Sequence, residues 1–234
     1  MNKTPRLLLA LDVLAAAGML TTIGLVFLYA PIERVMGAVQ KVFYFHVASA
    51  WIGMVGFLVA AAVGVLYLLR RKPILDVAGH AAVEIGLVFS VIAVLAGMTW
   101  ARPVWNTWWT WDPRLTTAAI MVLVYAAYLI LRSGIDDPEQ RARFAAVYAI
   151  VGAVSVPLTF FSIRLFRTIH PVLFGGDTSS SLSDFSTDPR MVLTFFVSLA
   201  AFSLLFVAIF WHRIRLGQLA DRVEELKLNR EEQQ

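Results

Sequence analysis

The chain of 234 residues contains no cysteine. Disulfide bonds, thiolate metal sites, iron–sulfur clusters and a cysteine nucleophile are therefore excluded. Charge is also scarce, because Asp, Glu, Lys and Arg make up only 15% of the residues, whereas soluble domains carry about 25%. No GxxxxGK[ST] run occurs, so the chain lacks the phosphate-binding loop that many ATPases use. The composition argues against a soluble globular enzyme.

Apolar residues are abundant instead, at 59% of the chain. A helix that crosses the roughly 30 Å hydrocarbon core of a bilayer needs about 20 mainly apolar residues. Six stretches meet that requirement: Leu7–Ala30, Val42–Leu69, Ala81–Trp100, Leu115–Leu131, Phe144–Ile163 and Met191–Trp211. They predict an all-α, polytopic membrane protein in which residues 1–215 form one six-helix transmembrane domain. Within the fifth stretch, Pro157 predicts a kink.

The distribution of Lys and Arg predicts the orientation, since cytoplasmic segments carry an excess of these residues. With a cytoplasmic N-terminus, seven of the 20 basic residues fall in outer segments and the other 13 fall in inner ones. Both termini are therefore predicted to be cytoplasmic, with outer loops near residues 31–41, 101–114 and 164–190. This bias accounts for the net charge of +4, so no nucleic-acid partner is predicted.

Residues 216–234 form a charged segment after the last apolar stretch. Leu216, Leu219, Val223 and Leu226 recur at helical spacing and form one apolar stripe of a predicted cytoplasmic helix. Two interpretations remain open for this tail. The helix docks a partner, or it is simply solvated.

The second outer loop is rich in tryptophan, with five of the seven tryptophans between positions 100 and 111. They are Trp100, Trp105, Trp108, Trp109 and Trp111. One interpretation is an aromatic belt, since indole rings favour the membrane interface. The other is a flat apolar wall, with N–H groups at its rim, that binds a large planar ligand.

Two histidines flank this loop at the same predicted membrane level. His46 lies about one turn inside the outer end of the second stretch, and His170 lies just beyond the fifth. Ser49, Ala50 and Gly53 follow His46 on one helix face and leave it without bulk. Two neutral imidazoles on opposite sides of a macrocycle give a six-coordinate haem iron. The alternative is that each histidine is an ordinary interfacial polar residue.

Four arginines lie near the same loop. Arg102 and Arg114 bracket it, and Arg164 and Arg167 precede the second histidine. Arginine pairs with carboxylates through a fixed fork of donors, so these residues are candidates for binding haem propionates. Asp112 stands before Pro113 at the start of the fourth stretch and is predicted to be the N-cap of that helix.

A second histidine pair lies near the inner membrane face. His80 precedes Glu84 by one helical turn, and His212 is followed by Arg213 and Arg215. Ionisable groups in membrane spans are candidates for function. One interpretation is an inner metal site. The other is that His80 forms a local pair with Glu84 and that His212 is an interfacial residue.

The run WNTWWTWDPRLT resembles the tryptophan-rich signature of the haem-handling proteins of cytochrome c maturation. Six spans and this length resemble the haem exporter protein C (CcmC) type, over essentially the whole chain. The family commonly has Gly after the first tryptophan, where this chain has Asn106, so a different local turn is expected. The resemblance implies that the outer loop binds haem b, with His46 and His170 as iron ligands. The motif residues it maps are Trp105, Trp108, Trp109, Trp111 and Asp112.

The resemblance also implies a function without conventional catalysis. The protein would receive haem b and present it, on the periplasmic side of a bacterial inner membrane, to a haem chaperone of the CcmE type. ATP hydrolysis would come from partners, namely the ATPase and permease subunits of an ABC-transporter complex with a small accessory membrane subunit. Two rival functions remain open: a small b-type electron-transfer subunit with bis-His haems, and a scaffold that binds no cofactor.

Overall fold

The computed structural model describes residues 5–34, 36–171 and 188–231. Within these residues, seven α-helices form six segments that are long and apolar enough to cross a membrane, which confirms the all-α, six-span prediction. A turn of π-helix at Leu25–Tyr29 extends α1, and a short 3₁₀-helix at Ala38–Gln40 precedes α2. The helices are α1 (Arg6–Gly24), α2 (Lys41–Arg70), α3 (Pro73–Trp105), α4 (Pro113–Ser133), α5 (Pro138–Gly152), α6 (Ser155–Leu165) and α7 (Pro189–Glu231).

Helices α2 and α3 form the centre of the bundle as a close antiparallel hairpin. Their connection is only two residues long because Arg71 adopts a left-handed φ of 52° and Pro73 begins α3. Glycines let the two backbones approach: a Cβ added to Gly56 would lie 2.8 Å from the Cα of Gly86. Helix α7 packs on α2 and α3, α1 packs on α7, and α5 packs against α2. The hairpin thus places the start of α2 beside the end of α3.

Helix α3 extends beyond the predicted apolar stretch at both ends. It continues to Trp105, so the segment between α3 and α4 comprises residues 106–112 rather than the predicted loop 101–114. Asn106 ends α3 with a left-handed φ of 56°, a conformation that Gly adopts freely and Asn tolerates better than most residues. Asn106 thus takes a backbone conformation that Gly would also adopt, and a turn different from that of the family stays a prediction.

The fifth span is interrupted between α5 and α6. Helical structure stops at Ala153 and Val154, three to four residues before Pro157. A proline ring clashes with the carbonyl four residues earlier, which here belongs to Ala153, so the interruption lies where Pro157 predicts a kink. Helix α6 then leads directly to His170. Residues 172–187 of the predicted third outer loop lie outside the described residues.

Helix α7 continues without a break from the sixth span into the charged tail as far as Glu231. The tail stripe is more than half exposed at each of its four positions: Leu216, Leu219, Val223 and Leu226. Gly217 lies against α3, where a Cβ would come 2.4 Å from Val77 Cγ1. The first turns of the tail therefore pack on the bundle, and the later turns extend away from it.

Candidate functional site

A cavity lies at the end of the bundle where α2 and α4 begin and where α3 and α6 end. Its empty volume is roughly 790 Å³, a figure that includes the open space at its mouth. Trp100, Trp105, Arg114, His46 and His170 are among the side chains that line it. Its deeper wall is small and apolar and comprises Ala50, Met54, Ala93, Val94, Ala118, Met121 and Val122.

His46 lies in the second turn of α2, with its imidazole turned toward α3. Its Nδ1 is 2.8 Å from the backbone carbonyl oxygen of Ala93. Because a carbonyl only accepts, Nδ1 must donate, and the lone pair lies on Nε2. Gly97 makes room for this ring, since a Cβ there would lie 2.9 Å from His46 Cε1. The packing of α2 on α3 therefore fixes both the position and the tautomer of His46.

His170 reaches the cavity from the segment after α6. Its Nδ1 lies 3.1 Å from the carbonyl oxygen of Pro171, so Nε2 again carries the lone pair. Burial, with the positive charge of Arg114 and the neighbouring His46, lowers the pKa of the His170 imidazole from 6.5 to about 3. His170 is therefore neutral at neutral pH, which is the form that ligates a metal.

The two imidazoles meet in the cavity. Their ring centroids are 6.3 Å apart and their planes are inclined by 39°. A metal–imidazole bond is about 2 Å long and each nitrogen lies about 1 Å from its ring centre, so two rings on opposite sides of one metal have centroids roughly 6 Å apart. The separation of His46 and His170 matches this value.

Among the described residues, His46 and His170 are the two imidazole ligands that the cavity offers to a metal. Within the described ranges, no group of three or more His, Cys, Asp or Glu side chains is arranged to hold a metal ion. Two axial nitrogens with no further side-chain ligands suit a metal whose other coordination positions are already filled by a macrocycle. The donor set therefore fits haem iron better than a bare metal ion.

Four of the five clustered tryptophans form two perpendicular pairs. The Trp100 and Trp105 rings are 5.0 Å apart, and the Trp109 and Trp111 rings are 5.6 Å apart. Trp100, Trp105, Trp108 and Trp109 line the cavity, while Trp111 lies outside its lining and is 77% exposed. Trp100 belongs to the predicted tryptophan cluster but was not among the candidate binding residues. It is buried in the last two turns of α3, within the predicted third stretch, and lines the cavity from there.

Three buried donors of the cavity wall have no partner. In the part of the chain that the structure describes, the indole Nε1 of Trp100, the indole Nε1 of Trp109 and the hydroxyl of Ser90 make no hydrogen bond. A buried polar group without a partner costs about 1–3 kcal/mol. A ligand that brings acceptor atoms into the cavity would satisfy such groups.

The four candidate arginines occupy different environments. Arg114 lines the cavity, and its guanidinium donates to the backbone carbonyl of Thr159. Arg102, Arg164 and Arg167 are exposed and lie outside the cavity lining. A role in ligand binding for these three stays a prediction from sequence.

Asp112 and Gly53 are two sequence candidates that lie outside the cavity lining. Asp112 Oδ1 accepts a hydrogen bond of 2.9 Å from the Leu115 amide, as predicted for the N-cap of α4, and Asp112 is outside the cavity lining. A Cβ on Gly53 would lie 2.3 Å from Ser90 Oγ, so Gly53 serves the packing of α2 against α3. Of the small face below His46, Ala50 is the residue that lines the cavity.

The second histidine pair lies at the opposite end of the bundle. His80 Nε2 is 3.5 Å from Glu84, which also pairs with Arg213 at 2.6 Å. His212 Nε2 is 2.9 Å from the carboxylate of Asp12. Each histidine thus has its own carboxylate partner, so the geometry favours two separate polar contacts over one inner metal site.

Comparisons with known proteins identify the family of this chain. The family described as Heme exporter protein C matches residues 1–229 of the chain. Heme exporter protein C of Bradyrhizobium diazoefficiens is 36% identical over 203 residues, which cover 85% of this chain and 74% of the relative. The protein of that name from Rhodobacter capsulatus is 32% identical over 91% of this chain and 88% of its own length.

A more distant relative extends the comparison. Heme exporter protein C of Escherichia coli is 29% identical over 205 residues, which cover 86% of this chain and 80% of the relative. The similarity therefore spans the helices, the tryptophan-rich segment and both histidines rather than one short motif. The chain belongs to the Heme exporter protein C family.

Proposed function

We propose that this protein binds haem b as cargo between His46 and His170 and presents it to a haem chaperone of the CcmE type during cytochrome c maturation. The observation that carries the proposal is the pair of imidazoles 6.3 Å apart in a cavity walled by tryptophans. Both rings keep a lone pair on Nε2, because their Nδ1 atoms are bonded to carbonyl oxygens. Haem handling is also what the names of the relatives describe.

Cargo binding uses three kinds of contact. The two imidazoles ligate the iron, the tryptophan rings cover the apolar macrocycle, and Arg114 pairs with a propionate. Thr159 takes one of the five donors of the Arg114 guanidinium, which leaves a charged fork within the cavity wall for a carboxylate. The buried indole N–H groups of Trp100 and Trp109 are further donors for propionate oxygens.

Release of the cargo requires that part of the haem stays accessible. Trp108 and Trp111 are 53% and 77% exposed, at the mouth of the cavity and beside it. Exposed aromatic rings are common anchors at protein–protein contacts. We place the chaperone contact on this edge of the tryptophan segment, where it would meet the haem edge that the cavity leaves uncovered.

The protein acts without its own catalysis and within a larger assembly. The excess of basic residues on the opposite side supports a position of the cavity on the periplasmic face of a bacterial inner membrane. ATP hydrolysis in this account belongs to the ATPase and permease subunits of an ABC-transporter complex, joined by a small accessory membrane subunit. The chain itself contributes the haem site.

The test uses purified protein and a soluble periplasmic domain of a CcmE-type chaperone. Haem-loaded protein should form a complex with the chaperone that elutes as one species carrying the haem. Trp111→Ala should weaken the complex without loss of haem, whereas Trp51→Ala, which changes an exposed tryptophan of α2 bonded to Ser203, should leave it intact. A wild-type protein that takes up no haem, or that forms the same complex without haem, would contradict the proposal.

A further inference from the structure

The carboxylate of Asp112 joins the tryptophan segment to the segment that carries His170. One oxygen, Oδ1, caps α4 through the Leu115 amide. The other oxygen, Oδ2, accepts from the Ile169 amide at 3.2 Å and from the hydroxyl of Thr168. The two oxygens therefore serve two different parts of the chain.

The hydroxyl of Thr168 continues this connection to the histidine. Its Oγ1 donates to Asp112 and accepts a hydrogen bond of 3.0 Å from the backbone amide of His170. Helix α6 ends at Leu165, and Phe166 already has an extended backbone with φ −129°. His170 therefore lies outside regular secondary structure, and hydrogen bonds connect its backbone to Thr168 and, through Thr168, to Asp112.

We propose that Asp112 and Thr168 are positioning residues that hold His170 at the ligating distance from His46. This inference rests on the proposed function, because it assigns the two residues to the geometry of the haem site. Asp112 lies outside the cavity lining, so its effect on the iron passes through His170 and not through contact with haem. Asp112 thus connects the tryptophan-rich segment between α3 and α4, the start of α4 and the segment that carries His170.

The chemistry of the contact explains why this residue is a carboxylate. Three donors converge on Asp112: the Leu115 amide, the Ile169 amide and the Thr168 hydroxyl. An ionised carboxylate is acceptor-only and serves all three. Asparagine is an equally good N-cap, but its NH₂ group would replace the oxygen that faces Thr168 and Ile169. Asp112→Asn therefore keeps the N-cap of α4 but removes the acceptor for Thr168 and Ile169.

The experiment measures iron coordination in detergent-purified protein reconstituted with haemin. Wild type and Thr168→Ser, which keeps the hydroxyl, should show a six-coordinate low-spin spectrum. Thr168→Val, which has the same shape without the hydroxyl, and Asp112→Asn should shift toward a five-coordinate high-spin spectrum. We expect haem loss from these two variants to be roughly tenfold faster, because a hydrogen bond to a charged acceptor is lost. Added imidazole should restore the low-spin spectrum, as it should for His170→Gly.

Each outcome has a defined meaning. Thr168→Val and Asp112→Asn proteins that keep the wild-type spectrum and haem off-rate would overturn the inference. A His170→Gly protein that stays six-coordinate would instead overturn the proposed function on which the inference rests. If Asp112→Asn fails to elute as a folded protein, the comparison of Thr168→Val with wild type decides, since valine replaces the hydroxyl by a methyl group of similar shape, and Thr168→Ser is the control that keeps the hydroxyl.

Discussion

The imidazole rings of His46 and His170 lie 6.3 Å apart, centroid to centroid, although the whole tryptophan-rich run separates them in sequence. Each ring is anchored through Nδ1 by a backbone carbonyl, from Ala93 for His46 and from Pro171 for His170. Hydrogen bonds of this kind fix the tautomer and orientation of a ligating histidine. The two rings are therefore oriented, with their lone pairs on Nε2, before any haem binds.

The space for His46 depends on the absence of a side chain at position 97. A Cβ on Gly97 would lie 2.9 Å from His46 Cε1 and 3.2 Å from its Nδ1, so the ring would have to move. Over-packing of this kind costs about 1–3 kcal/mol, which corresponds to roughly a fivefold or larger loss of haem affinity. Titration of Gly97→Ala protein with haemin should show that loss, together with a weaker low-spin signal.

A matched control is available in α1. Gly24 has no atom within 4 Å of an added Cβ, so Gly24→Ala should bind haem as wild type does. Equal haem affinity of Gly97→Ala and Gly24→Ala would show that the close approach of α3 does not position His46.

Arg114 is expected to recognise a propionate, because it is the one of the four candidate arginines that lines the cavity. Haem dimethyl ester lacks the propionate charges and provides a direct test. Wild-type protein should bind haem roughly tenfold or more tightly than the diester, since a charge-assisted hydrogen bond is lost with the ester. Arg114→Gln should lose this preference while keeping the affinity for the diester.

Arg70→Gln serves as the control for charge alone, because Arg70 is an exposed residue at the far end of α2. It should retain the preference for haem over the diester. If Arg114→Gln weakens both ligands equally, Arg114 acts on the fold through Thr159 and not on a propionate.

The inner histidines separate the carrier from the electron-transfer alternative. His80 is bonded to Glu84 and His212 to Asp12, so neither is expected to ligate iron. The double variant His80→Ala/His212→Ala should keep the haem content and Soret band of wild type. A wild-type preparation with two haems per chain, of which the double variant loses one, would favour the electron-transfer subunit.

The orientation can be measured directly because the natural chain has no cysteine. Single cysteines at Phe166, beside the cavity, and at Gln218, in the tail, are both at exposed positions. A membrane-impermeant maleimide added to intact spheroplasts should label Phe166→Cys, whereas Gln218→Cys should react only after lysis. The opposite pattern would place the cavity in the cytoplasm and reject presentation to a periplasmic chaperone.

Much of the fold is readable from sequence because hydrophobic length alone defines a membrane span. The six spans were predicted from that property, but their ends were not. Helix α3 begins at Pro73, and its first turns carry Asp76 and His80, which lower the hydropathy without breaking the helix. The tail likewise extends α7, since Gly217 packs on Val77 without interrupting the helix. Polar residues therefore marked the end of the apolar run and not the end of the helix.

The sequence predicts which side chains form the site, but it does not predict how they are arranged. His46, His170 and the tryptophans were identified from residue type and predicted depth, and the structure brings all of them except Trp111 to one cavity. The groups that orient them are backbone carbonyls and one missing Cβ at Gly97, which leave no signal in residue chemistry. The link from Asp112 to Thr168 joins segments far apart in sequence, so a single chain without its fold cannot reveal it.

The most direct test of the central claim is a haem stoichiometry and spin-state measurement on purified protein. Pyridine-haemochrome quantification combined with electron paramagnetic resonance should give one low-spin haem per chain for wild type. His46→Gly and His170→Gly should each become high-spin and recover with added imidazole, and the double variant should retain almost no haem. A double variant that still holds one low-spin haem, or a wild-type protein that stays colourless after reconstitution, would contradict ligation by this histidine pair.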